Sequence, residues 1–147
     1  MILSIDPGKV TGVAFMLPSG VVSTREIEGR YDLCQWVMDH HSQLCIDALV
    51  CEDFVISQRT IKTTPQKDPL RIIGWLDIWC EKKDVEFVLQ TAAQAKSFAT
   101  DAKLRHLGWF TSEGAGHAND ASRHLLVHLV RTDPKRVAKL MEGFDLS

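Results

Sequence analysis

Asp6, Glu52 and Asp120 are the residues of this 147-residue chain whose types and settings most suggest chemistry. Asp6 closes an apolar run that begins at Ile2, and a Pro7-Gly8 turn follows at once. Glu52 closes a second apolar run, IDALVCE. Asp120 lies in GHANDASRH, three residues after His117 and four before His124, spacings that share one face of a helix. Burying a lone carboxylate is costly unless it is paired or binds a metal. Three carboxylates from three separate elements suit a Mg2+ or Mn2+ cage, because hard divalent ions take oxygen ligands and magnesium keeps several waters. Two such ions about 4 Å apart can clamp both sides of a phosphodiester, one activating water and the other steadying the leaving oxygen. Taken singly, each residue has a plainer explanation. Asp6 serves equally well as a turn residue, Asp120 as compensation for a helix dipole, Glu52 as a strand end entering solvent, and His117 as a surface histidine. Asp53 should point away from Glu52 if the strand continues, and Glu113 reads as a loop acid. Convergence of the acids is what favours a site.

The elements that would position them follow from periodicity. Ile2–Asp6, Thr11–Leu17 and Val21–Ile27 read as strands joined by turns at Pro7-Gly8 and Pro18-Ser19-Gly20, which favours an antiparallel meander. Tyr31–Leu44 has helical spacing. Ile46–Glu52 follows that helix, so it is expected to run parallel to the first strand, buried on both faces. Asp6 and Glu52 then project at the same sheet edge, where α/β sheets place their ligands. Asp53–Lys67 reads as a loop with a basic bias. Pro69–Glu81 reads as a helix with an apolar surface wider than one stripe, expected to be covered by the core and by a partner chain. Val85–Leu89 is a fifth strand. Thr91 to Gln94 has the form of a capping box, opening a helix that runs to Leu107 and ends at Gly108. Gly114-Ala115-Gly116 leads into a last long helix, His117 to Arg131, and the tail from Thr132 forms a short helix or frays. The order β-β-β-α-β-α-β-α-α predicts one α/β domain built on a five-stranded mixed sheet, three strands antiparallel and the rest parallel, flanked by helices.

Apolar residues make up 45% of the chain and charged residues 24%, which excludes a disordered chain. No apolar run reaches the roughly 18 residues of a membrane span, and no signal peptide is visible. A strand beginning at Ile2 leads us to expect an intact N-terminus. Cys34, Cys45, Cys51 and Cys80 show no C-x-x-C spacing, which argues against structural zinc. Three of them lie in apolar stretches as small hydrophobes, and reduced thiols point to a cytoplasmic protein. A net charge of −2 does not advertise nucleic-acid binding. The distribution is more informative, because bases gather in Gln58–Arg71 and Lys96–Arg105. Singly they read as solvated surface, but Arg59, Lys62, Lys67, Lys96 and Lys103 together make a phosphate-binding rim conceivable.

With these residues in place, the chain resembles the RuvC family of Holliday-junction resolvases, and in particular its compact phage-encoded members. ILSIDPGKVTGVAF is similar to the family's opening strand, acid, Pro-Gly turn and second strand with Thr-Gly. LVCEDFVIS is similar to its central strand ending in glutamate. GHANDASRHLLVHL is similar to its closing helix, in which a His or Asp precedes the last acid by three residues. The likeness spans nearly the whole chain. It implies an RNase H-like fold, hydrolysis of phosphodiesters in branched DNA with Mg2+ or Mn2+, two ions per site, and a homodimer in a bacterial or phage-infected cytoplasm. Carried over by position, it makes Asp6, Glu52 and Asp120 catalytic metal ligands and gives His117 the place of a further acid, where a neutral imidazole would bind metal or assist proton transfer. It also implies that the loop after Glu52 reaches the junction. The same chemistry would serve an RNase H-like nuclease acting on forks, flaps or RNA–DNA hybrids, and a non-catalytic branched-DNA-binding module would keep the fold. A phosphotransferase of the actin and sugar-kinase type needs two such domains, and 147 residues supply one.

Overall fold

β1 (Ile2–Asp6), β2 (Val10–Met16), β3 (Val22–Glu28), β4 (Ala48–Glu52) and β5 (Glu86–Gln90) form one sheet in the order β3-β2-β1-β4-β5. The structure is a computed structural model that describes residues 1–58 and 67–145. The first three strands pair antiparallel, and β1–β4 and β4–β5 pair parallel, as the turn lengths and the intervening helices require. Strand bounds lie within two residues of those predicted.

Alternation along the strands divides the core in two. Leu3, Ile5, Val13, Leu49 and Cys51 face α1 (Arg30–Leu44) and α2 (Lys67–Lys83), packing on Leu33, Val37, Ile72, Leu76 and Trp79. Ala14 and Met16 point the other way and meet the remaining helices: α3 (Ala92–Phe98), α4 (Asp101–His106), α5 (His117–Thr132) and α6 (Pro134–Leu140). The predicted helix through Leu107 is two helices. Its capping box is present, Thr91 and Gln94 bonding reciprocally, but the chain leaves the helix at Ala99, and the Thr100 hydroxyl accepts from Lys103 N–H to cap a new one. The tail folds into α6, with Asp133 as its cap and Pro134 in its first turn. On α2, Ile72, Leu76, Trp79 and Cys80 are buried, while Leu70 and Ile78 on its second apolar face are exposed. Cys51 and Cys80 are buried, Cys34 is partly buried and Cys45 is exposed, all four as free thiols. Burial pushes the Cys80 thiol up to about 12, which leaves it inert as a nucleophile. Among the described residues no helix is long and apolar enough to cross a membrane.

Candidate active site

The sheet register fixes where the first two acids meet. Ile5 pairs with Cys51, so the next position sets Asp6 beside Glu52 at the ends of two parallel strands. Asp6 also pairs with Gly12, and Glu52 with Gln90. Gly12, Asp6, Glu52 and Gln90 therefore form a row across β2, β1, β4 and β5. Their positions in the alternation place them opposite Ile5 and Cys51, on the face covered by α5.

Helix α5 crosses that row. At one end His117 Nδ1 lies 3.0 Å from Asp6 Oδ2. Two turns on, His124 Nε2 lies 2.7 Å from Glu52 Oε2 and its Nδ1 lies 3.0 Å from Gln90 Oε1. The seven residues from His117 to His124 rise about 10.5 Å. Asp6 on β1 and Gln90 on β5 are two strand spacings apart, about 9.6 Å, so the helix reaches from the first to the second. Asp120 sits between, near enough to act on the charge of Asp6.

Backbone contacts explain why α5 lies so close. Its first turn rests on Gly12, where an added Cβ would stand 1.9 Å from the His117 carbonyl oxygen. The helix opens at Gly116, in the left-handed region at φ 92°, with no capping side chain of its own. Glu26 on β3 supplies the acceptor instead, taking N–H bonds from Ala115 and His117 at 3.0 Å each. Asn119 ties the preceding loop to the helix by accepting from Thr111 N–H and donating to Thr111 C=O. Ser4 on β1 donates to the Ala121 carbonyl at 2.7 Å. Glu26→Ala is expected to cost about 1–2 kcal/mol, a typical loss for a helix cap. It should also loosen His117 from Asp6. Urea denaturation reads the first effect, and the NMR signals of the His117 ring read the second.

Electrostatics mark Asp6 as strained for charge. Asp6 is buried, and its carboxyl is pushed from 3.8 up to about 6, first by burial and then by Glu52. Asp120 pushes the same way, and the hydrogen bond from His117 opposes them. Among the described residues, the cations paired with these acids sit on the Asp120 side. Lys96 Nζ is 3.9 Å from Asp120 Oδ2, and Arg123 Nε is 3.8 Å from Asp120 Oδ1. Arg123 also pairs with Asp101 on α4. A divalent cation would relieve this gathering of carboxylates, and the donors are the hard oxygens that magnesium and manganese prefer. Among the described residues no three His, Cys, Asp or Glu side chains stand together as a ready-made cage. Magnesium does not need one, since one or two carboxylates with waters and substrate phosphate suffice. The donor set therefore fits such an ion.

No family model and no curated protein matches the sequence. Solved structures do. RuvC of T. thermophilus in complex with a Holliday junction substrate superposes with a TM-score of 0.65 at 14% identity, over 91% of this chain and 95% of that one. A second structure of Thermus thermophilus RuvC gives 0.59 at 16% identity, over 89% and 95%. The Holliday junction resolvase of fowlpox virus gives 0.52 at 14% identity, over 89% and 98%. The chain has the RuvC fold.

On this RuvC fold the predicted residues divide. Asp6, Glu52, His117 and Asp120 come to one rim of the sheet. Lys96 joins them through Asp120. Lys103 is engaged on its own segment, donating to the Phe98 carbonyl at 2.8 Å with its ammonium 3.9 Å from the centre of the Phe98 ring. Lys67 is exposed at the start of α2. Arg59 and Lys62 lie outside the described residues, as does most of the basic part of the loop after Glu52. Asp53 keeps its backbone bonded to β5 through Gln90 C=O at 2.7 Å. Sequence reasoning missed Glu26, whose place on a half-exposed strand looks like ordinary surface. It named His124 only as a neighbour of Asp120, and its strand stopped one residue short of Gln90.

Proposed function

We propose that this protein is a divalent-cation-dependent endonuclease that hydrolyses phosphodiesters in Holliday junctions and other branched DNA. The observation that carries the reading is the acidic row: Asp6 and Glu52 adjacent at the strand ends, with Asp120 and His117 brought over them by α5. The RuvC fold supports it, since one neighbour sharing that fold is the Holliday junction resolvase of fowlpox virus and another, T. thermophilus RuvC, is bound to a Holliday junction substrate.

Asp6, Glu52 and Asp120 would hold Mg2+ or Mn2+ at the rim, with His117 beside Asp6, two ions per site being the expectation. When bound, the cations supply Lewis acidity for the phosphoryl oxygen and a water of lowered pKa. The chain's own groups orient and charge-balance. His117 holds Asp6 in one rotamer. Lys96, whose side chain is largely exposed beside Asp120, is set to meet a backbone phosphate. Lys67, Lys103 and the loop bases Arg59 and Lys62 are assigned the flanking phosphates. The protein acts as a homodimer, because symmetric nicks on opposing strands need two sites related by a two-fold axis. The exposed Leu70 and Ile78 of α2 offer apolar surface for it. Its setting is the cytoplasm of a bacterium or a phage-infected host.

End-labelled four-way, fork, flap and RNA–DNA hybrid substrates, each with Mg2+ and with Mn2+, test the proposal. The four-way junction is expected to be cut fastest, with paired nicks on opposing strands. Faster cutting of hybrids or flaps would move the protein to another RNase H-like nuclease class. Junction binding with no cleavage in either metal would make it a binding module.

A further inference from the structure

His124 is a polar ring with no exposed surface, placed on α5 next to Leu125 and Leu126. Buried polar groups find partners. A histidine serving the core alone could take them from nearby backbone. His124 instead joins two side chains at the rim, Glu52 at 2.7 Å and Gln90 at 3.0 Å, which are themselves paired across β4 and β5. Gln90 is also buried, and its Nε2 has no partner among the described residues. If the amide turns that nitrogen to the ring, it donates to Nδ1, and the ring's Nε2–H is left to donate to the carboxylate. That makes a directed chain from Gln90 through His124 to Glu52 Oε2. Glu52 Oε1 is then the oxygen that remains for the rim.

We propose that His124, held by Gln90, is a positioning residue that fixes the orientation of the Glu52 carboxylate for cation binding. The inference rests on the reading of the rim given under Proposed function. Groups that hold a metal ligand from behind restrict its rotamers, and losing one typically weakens metal binding about 10–100-fold.

The test compares wild type with His124→Phe, His124→Gln and Gln90→Leu. Mn2+ affinity is measured from the EPR signal of free Mn2+, thermal melting is measured without metal, and single-turnover cleavage of a four-way junction is followed across Mn2+ concentrations. His124→Phe keeps the ring's volume and removes its hydrogen bonds. It is expected to raise the Mn2+ Kd about 10–100-fold, with cleavage recovering as Mn2+ is raised. His124→Gln, whose amide can reach the same oxygen, should regain most of the affinity. Gln90→Leu should fall between. A His124→Phe Kd within about twofold of wild type would overturn the proposal. So would losses of cleavage that follow melting temperature while the Kd stays constant. Should His124→Phe fail to fold, Gln90→Leu with the ring in place decides on the same Kd criterion. A wild type that binds Mn2+ but cuts no branched substrate sinks the nuclease reading, while the Kd comparison still decides this one. A wild type that binds no Mn2+ sinks both.

Discussion

Asp6→Asn is expected to give a folded protein whose cleavage rate falls on the order of 10³-fold or more. The same variant is expected to be more stable than wild type at neutral pH. Both effects have one cause. Asp6 is an acid kept where charge is disfavoured: burial, Glu52 and Asp120 push its carboxyl up to about 6, and the His117 hydrogen bond pulls only partly against them. Between its unfolded value of 3.8 and about 6, the native protein keeps a proton that the unfolded chain has released. Native stability from this group therefore falls as pH rises through that window, and the loss persists above it. A shift of about two units corresponds to at most about 3 kcal/mol. Asparagine has no charge to bury, so its curve lacks the fall. Urea denaturation in EDTA should find the two proteins nearly equal at about pH 4 and the variant ahead by about 1–3 kcal/mol at about pH 7. Adding Mn2+ should stabilise wild type more than the variant, because a cation that binds the native rim acts by linkage and the variant has lost one of its carboxylates. Parallel pH curves, or an Asp6→Asn protein that cuts junctions at the wild-type rate, would remove Asp6 from the centre of the site.

Gly12→Ala is expected to be strongly destabilising, since a Cβ there makes the shortest contact of any added at the glycines. The added carbon would fall 1.9 Å from the His117 oxygen, 2.1 Å from the His117 carbon and 2.7 Å from Ala118 N. These are backbone atoms of a helix pinned by Glu26 and by Ser4, so no side chain can swing aside. Helix α5 must lift from β2. That would separate His117 from Asp6 and move Asp120 off the row. A cost of about 3–5 kcal/mol is expected, at the upper end for overpacking. In a domain of this size that is a fall in melting temperature of roughly 10 °C or more. Cleavage should fall even in the fraction that remains folded. A variant with wild-type melting and activity would show that the close approach of α5 to β2 is dispensable.

Most of the framework was legible in the sequence, because alternating and helical apolar spacing are strong local signals. Ile2–Asp6 is reproduced to the residue, and the parallel placement of β4 followed from the helix before it. The helix break at Ala99 was harder to see. It turns on Thr100 preferring to cap a new helix, and nothing in the apolar pattern interrupts there. The acids of the rim were legible as strand-end and helix-face residues. Their supports were not. Glu26 and Gln90 are polar side chains whose importance comes from what the chain packs beside them, 91 and 34 residues away in sequence. Thr-Gly at Thr11-Gly12 was visible as a motif, but its physical reason, a helix backbone resting on the glycine, needed the fold.

A crystal soaked in Mn2+ and measured for anomalous scattering tests the central claim most directly. The expected result is a peak at the strand-end rim, within about 2.0–2.4 Å of an oxygen of Asp6 and of at least one of Glu52 and Asp120. Mn2+ found only elsewhere on the surface, with the rim carboxylates still bonded to His117 and His124, would contradict it.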